Sequence, residues 1–167
     1  MSRTTERIPS ERITMKYYED FQIGDKQVTR ARTITETDLV LFSAFTGDWY
    51  PLHVDIEFAR KSPFGERVAH GFLVLSVASG LMPLYDEAIV AMYGLDQVRF
   101  YVPAKIGDTL HLEIEITDKQ EESKKGGVVY HNIKVINQRD ETVASYILKG
   151  VIAKKPGGAR ESYNSGD

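Results

Sequence analysis

From Thr109 the chain alternates apolar and polar residues: TLHLEIEIT sets Leu110, Leu112, Ile114 and Ile116 on one side and His111, Glu113, Glu115 and Thr117 on the other. A period of two belongs to an extended strand with one buried and one wet face, so the stretch predicts a half-buried antiparallel strand. VVYHNIKVIN and TVASYILKGVIAK continue in the same character, joined by the tight polar connection QRDE, and KQEESKKGG reads as the turn before them. QVRFYVPAKIGD supplies another strand from Gln97, broken at Pro103 and turned at Gly107-Asp108. QVTRARTIT, from Gln27 and after the Gly24-Asp25 turn, is rich in β-branched residues and predicts a first strand.

Between these strands the period lengthens. Thr35 stands three residues before Asp38 and ahead of Leu39, Val40, Leu41, Phe42, Ala44 and Phe45, a capping signature for a short, largely buried helix ending at Thr46. Gly47 suits the left-handed residue that terminates a helix, and Pro51 cannot continue one, so Asp48 to His53 is expected as loop. Asp55 caps a second short helix, IEFARK, closed by Pro63. FLVLSVASGLMPLY then reads as a helix of about four turns, apolar on nearly every side and therefore enclosed by other structure.

Long antiparallel strands with one apolar face, and one helix apolar all round, predict an α+β fold: a single domain whose antiparallel sheet wraps a long buried central helix. A chain of 167 residues is of single-domain size. The domain is expected over residues 17–154, with residues 1–16 a flexible arm and residues 155–167 a disordered tail. A single-layer sheet leaves edges exposed, and pairing with a second copy is the natural remedy.

Charge and composition then remove classes of function. The chain has no cysteine, which excludes disulfides and thiol nucleophiles. Lys and Arg total 21 against 24 Asp and Glu, a net charge of -3 without long runs, so no nucleic-acid partner is expected. The apolar run Phe72–Met82 falls short of the roughly 20 residues a bilayer requires, so no membrane partner is expected, and the expected location is cytoplasmic.

The candidate chemistry lies in TGDWYPLH, Thr46 to His53. Gly47 and Pro51 leave few backbone states, so Asp48 and His53 can converge on one water and move its proton to and fro. The alternative is that Asp48 forms its own turn and His53 is a half-buried packing residue. Val68-Ala69-His70-Gly71 stands where the buried helix begins, and there the first N–H groups lack intrahelical partners. Gly71 N–H is placed to hold a carbonyl oxygen as charge develops on it, or Gly71 merely relieves crowding at the helix start. Trp49, Tyr50 and His70 are possible pocket-lining residues. His53, Asp55 and His70 lack a recognised zinc spacing, so no metal is expected.

FSAFTGDWYPLHVDIEFARKSPFGERVAHGFL resembles the hydratase motif of the MaoC-like dehydratases, the family of (R)-specific enoyl-CoA hydratases with the hot-dog fold. Thr46-Gly47-Asp48, Pro51-Leu52-His53, Asp55, Ala59, Phe64-Gly65 and Ala69-His70-Gly71 carry the match, which extends more loosely over residues 17–154. The resemblance implies a homodimer or dimer of dimers that adds water reversibly to a trans-2-enoyl thioester, with coenzyme A present only as part of the substrate. It implies that Asp48 and His53 activate the water and that Gly71 N–H polarises the thioester carbonyl. Tyr50 departs from the family's usual Asn between the acid and the proline. A hot-dog thioesterase and a non-catalytic acyl-thioester binding module are the rival readings.

Overall fold

The computed structural model describes residues 15–123 and 125–156. Six strands, β1 (Lys26–Val28), β2 (Arg32–Thr33), β3 (Ile89–Phe100), β4 (Thr109–Ser123), β5 (Gly126–Ile136) and β6 (Thr142–Ala153), pair antiparallel throughout in the order β1-β4-β5-β6-β3, with β2 also on β4. Four helices accompany them: α1 (Glu36–Thr46), α2 (Pro51–Val54), α3 (Ile56–Arg60) and α4 (Gly71–Leu81). The period-two face of β4 is buried as expected. Leu110, Leu112 and Ile114 join Ile133 and Val135 of β5 and Ala144 and Tyr146 of β6 in one core with Leu73, Val74, Val77, Ala78 and Leu81 of α4. Burying such side chains stabilises by roughly 1.5–3 kcal/mol each, and this seam of sheet on helix is what fixes the position of α4.

The sheet outruns its sequence pattern in two places. β4 continues through the polar residues expected as a turn and reverses only after Ser123, because the facing residues of β5, Gly126 to Val129, are buried and keep the end of the hairpin paired. β3 begins at Ile89, eight residues before the strand expected from Gln97, and three register shifts against β6 break its alternation, which is why no period of two shows there. The expected first strand is instead two short pieces, β1 and β2.

α1 follows its capping signature. Thr35 Oγ1 accepts from the Asp38 N–H at 3.3 Å while the Asp38 carboxylate accepts from the Thr35 N–H at 2.8 Å, and Gly47 closes the helix at φ 78°, in the left-handed region. Thr35→Ala is expected to destabilise the fold by about 1 kcal/mol, read as a lower midpoint in urea with an unchanged slope. The helix is not largely buried, however. Only Leu39 and Ser43 are, and Phe45 is 90% exposed.

Two further expectations are corrected. Pro51 starts a helix rather than keeping Asp48 to His53 in loop: it occupies the first turn of α2, where its missing N–H would have no partner anyway, so only Asp48–Tyr50 are irregular. α4 has 11 residues, three turns, and is not enclosed on every side: Phe72, Ser76, Ser79 and Gly80 face outward, Phe72 at 77% exposure. The arm expected over residues 1–16 and the tail expected over residues 155–167 lie almost wholly outside the described residues. Of their described members, the Lys16 N–H donates to the Asp86 carbonyl at 2.6 Å and the Lys155 N–H to the Glu19 carboxylate at 3.0 Å. Among the described residues no helix is long and apolar enough to cross a membrane.

Candidate active site

The helix-ending Gly47 and helix-starting Pro51 place Asp48 in a three-residue bend and His53 in the helical turn that follows it. Asp48 Oδ1 accepts the Tyr50 N–H at 3.2 Å, and the Tyr50 carbonyl accepts the His53 N–H at 2.9 Å, so the backbone of residue 50 ties the acid to the imidazole. His53 Nδ1 lies 2.7 Å from the Val68 carbonyl. A carbonyl only accepts, so the proton is on Nδ1 and Nε2 carries the lone pair.

His70 completes the group from the other side. Its Nε2 is 3.1 Å from the Asp48 carbonyl and 3.2 Å from Ser43 Oγ, which puts its proton on Nε2. Its ring stacks on His53 with centroids 3.8 Å apart and planes at 29°. The residue is 2% exposed, and its Nδ1 has no hydrogen-bond partner. Burial holds the imidazole below its usual range, with the neighbouring His53 pushing the same way and Asp48 opposing. His70 therefore stays neutral beside His53.

The structure thus brings Asp48, His53 and His70 together. A carboxylate oxygen of Asp48 and ring nitrogens of His53 and His70 all lie within 4.8 Å of one another. A gap of that size is bridged by one water bonded to both sides. Gly71 opens α4 immediately after His70, no side chain caps that helix, and among the described residues no acceptor takes the Gly71 N–H. A Cβ at residue 71 would lie 3.0 Å from Cζ of Phe100, so glycine does relieve crowding there while its N–H stays free. Tyr50 and Trp49 are more than half exposed, and the Tyr50 ring meets His53 and Phe58 edge-on, with centroids 6.1 Å from each. The departure at residue 50 therefore leaves the backbone ties intact.

Ser43, the Val68 carbonyl and Phe100 were not expected at the site. Ser43 alone left a sequence signal: it lies four residues after Leu39, on the one buried face of α1, where a hydroxyl needs a partner. Asp48 is exposed, and among the described residues neither the cavity beside Lys16 and His131 nor the one beside Leu75 and Tyr146 is lined by Asp48, His53 or Gly71. Exposed aromatic residues adjoin the constellation: Trp49 and Tyr50 follow Asp48 in the chain, Phe72 follows Gly71, and the Phe100 ring faces Gly71.

Residues 20–138 match the profile of a family described as the MaoC like domain. Protein MaoC of Klebsiella aerogenes is 41% identical over 100 residues, 59% of this chain and 30% of that protein. The chain thus spans under a third of that relative's length. An (R)-specific enoyl-CoA hydratase of Rhodospirillum rubrum is 30% identical over 112 residues, 67% of this chain and 77% of its own. Among solved structures, a monoamine oxidase regulatory protein from Archaeoglobus is 40% identical with a TM-score of 0.81, over 86% of this chain and 97% of that one. A Mycobacterium tuberculosis protein with a double hotdog fold, 19% identical, superposes with a TM-score of 0.76 over 87% of this chain and 46% of its own, a likeness of fold alone. The antiparallel sheet curled on α4 is that hot-dog fold.

Proposed function

The chain belongs to the family of MaoC-like domains, and from that premise we propose that it is a hydro-lyase adding water reversibly to a trans-2-enoyl thioester of coenzyme A. The observation that carries the reading is the pairing of the exposed Asp48 carboxylate with an Nδ1-protonated His53 across a gap one water wide, beside the Gly71 N–H that no acceptor among the described residues takes. His53 Nε2 takes a proton from that water while Asp48 orients it, and the hydroxide forms its bond to C3. The C2–C3 electron pair moves toward the thioester, whose oxygen gains charge and is met by Gly71 N–H. Such a donor typically lowers a barrier by about 3–4 kcal/mol. The proton held by the pair then passes to C2 on the same face, so addition is syn and the product is the (R)-3-hydroxyacyl thioester.

An apolar cavity of about 120 Å³ lies farther along α4, lined by Leu75, Ser79, Leu95, Tyr146 and Leu148, and receives the acyl chain in this reading. The exposed aromatic residues beside the site and the free edge of β3 support a homodimer as the working unit. No metal takes part. His53 Nδ1 and His70 Nε2 are already engaged by the Val68 and Asp48 carbonyls, and the proton transfer described needs only the water. Activity is therefore expected to survive exhaustive dialysis against EDTA unchanged.

The direct test is crotonyl-CoA, followed by absorbance of its conjugated double bond and by free thiol. Reversible loss of absorbance without thiol is the expected result. Release of coenzyme A would make the protein a thioesterase, and no change in either signal a binding module.

A further inference from the structure

At the far end of α4 the helix no longer fills the curve of the sheet. Tyr18 and Phe21 close that end, forming a second, smaller core with Ile116, Val129 and Ile152. Between the two cores lies a cavity of about 320 Å³. We propose that this cavity is a binding site for a short aliphatic monocarboxylate, held by Lys16, His131 and Glu87.

The cavity is built around buried groups without partners. His131, on the helix-facing side of β5, is 2% exposed, and among the described residues neither ring nitrogen has a partner in hydrogen-bond geometry, although the Leu148 and Val129 carbonyls lie near enough to influence its charge. Glu87 Oε2 is likewise buried and unpartnered. Each such atom costs about 1–3 kcal/mol, and native interiors leave few of them. Two residues carrying three of them around one cavity ask for a polar occupant.

The charges select the kind of occupant. The cationic position is already filled by the chain itself, since Lys16 Nζ sits 4.3 Å over the Phe21 ring and 3.6 Å from Asp25 Oδ2. Burial raises Glu87 to about 7, with Lys16 opposing and Asp86 assisting, so its carboxyl holds a proton through much of the neutral range. Burial keeps His131 neutral, with one N–H to give. An ammonium, a carboxyl O–H and an imidazole N–H are three donors, and what they lack is an acceptor group. Phe21, Met82, Ile114 and Ile116 form an apolar lining that inorganic phosphate would leave uncovered and an alkyl tail would cover. The volume stands at the lower end for small-molecule sites, which keeps that tail short. α4 separates this cavity from Gly71 by its whole length, about 16 Å, so the site is independent of the hydration reading.

The test is a titration of the full chain with butyrate, n-butylammonium and inorganic phosphate, followed by two-dimensional ¹H–¹⁵N NMR. Butyrate alone is expected to give saturable shifts, centred on the amides of Phe21, Glu87 and His131. Loss of a hydrogen bond to a charged group is expected to weaken binding about tenfold in His131→Leu and in Lys16→Met, the latter a half-exposed position where folding is not at stake. Because the bound carboxylate needs Glu87 protonated, affinity is expected to be constant below about pH 7 and to fall above it. The other charged groups lining the cavity are Lys16, Asp25 and Lys26, and Asp86 stands next to Glu87 in the chain. Absence of saturable shifts, equal binding of butylammonium, shifts centred on Asp48 and His53 instead, or unaltered affinity in folded Lys16→Met would each overturn the proposal.

Discussion

Asp48→Asn and His53→Ala are each expected to lower turnover of crotonyl-CoA by about a thousandfold while leaving the thermal midpoint within a few degrees of the wild type, the size of effect general acid–base catalysis contributes. Both residues lie on a bend held by backbone bonds, the Tyr50 N–H to Asp48 Oδ1 at 3.2 Å and the His53 N–H to the Tyr50 carbonyl at 2.9 Å, so removing either function does not unravel the segment. Asparagine preserves the acceptor of the first bond and removes only the carboxylate charge. The double variant is expected to be little worse than either single one, because two groups sharing one water act as a unit. His70→Phe is expected to fall between: the ring against His53 remains, but the bond from Nε2 to the Asp48 carbonyl is lost. Near-normal turnover in both single variants would refute the assigned roles.

The second large effect is expected at the sheet edge. β3 ends the strand order, so among the described residues one side of this 12-residue strand has no neighbour, and Val90 and Tyr93 on it are each 66% exposed. A long apolar edge of this kind invites a second strand. The protein is expected to elute as a dimer in size-exclusion chromatography with light scattering, and Val90→Lys/Tyr93→Lys to elute as a monomer with unchanged far-UV circular dichroism. The exposed aromatic residues beside Asp48 give this a catalytic consequence: if a partner covers them, the monomeric variant loses turnover although its site residues are intact. A monomeric wild type with full activity would remove the partner from the mechanism.

The parts of the fold legible in the sequence are those set by neighbours along the chain. The capping pair Thr35 and Asp38, the stop at Gly47 and the alternation of Leu110, Leu112 and Ile114 each follow from local geometry, and each is found. Pro51 was misread because the same ring that ends one helix is well suited to start the next. The early start of β3 was hidden by bulges, since each inserted residue reverses which face the following side chains occupy. At the site, Asp48 and His53 were readable because one bend holds both. The stacking of His70 on His53, the hydroxyl of Ser43 and the Val68 carbonyl were not, because the chain reaches them only through tertiary packing. The same holds for His131, which looks like any strand histidine until Phe21, nearly perpendicular to it at 5.8 Å, is seen to close one end of the sheet.

Phe100 and Gly71 constrain each other. A Cβ at residue 71 would fall 3.0 Å from the tip of the Phe100 ring, so alanine there obliges this half-exposed ring to give way by a few tenths of an ångström. Gly71→Ala therefore makes two changes at once, a displaced ring and an altered helix start, and combining it with a smaller residue at position 100 separates them.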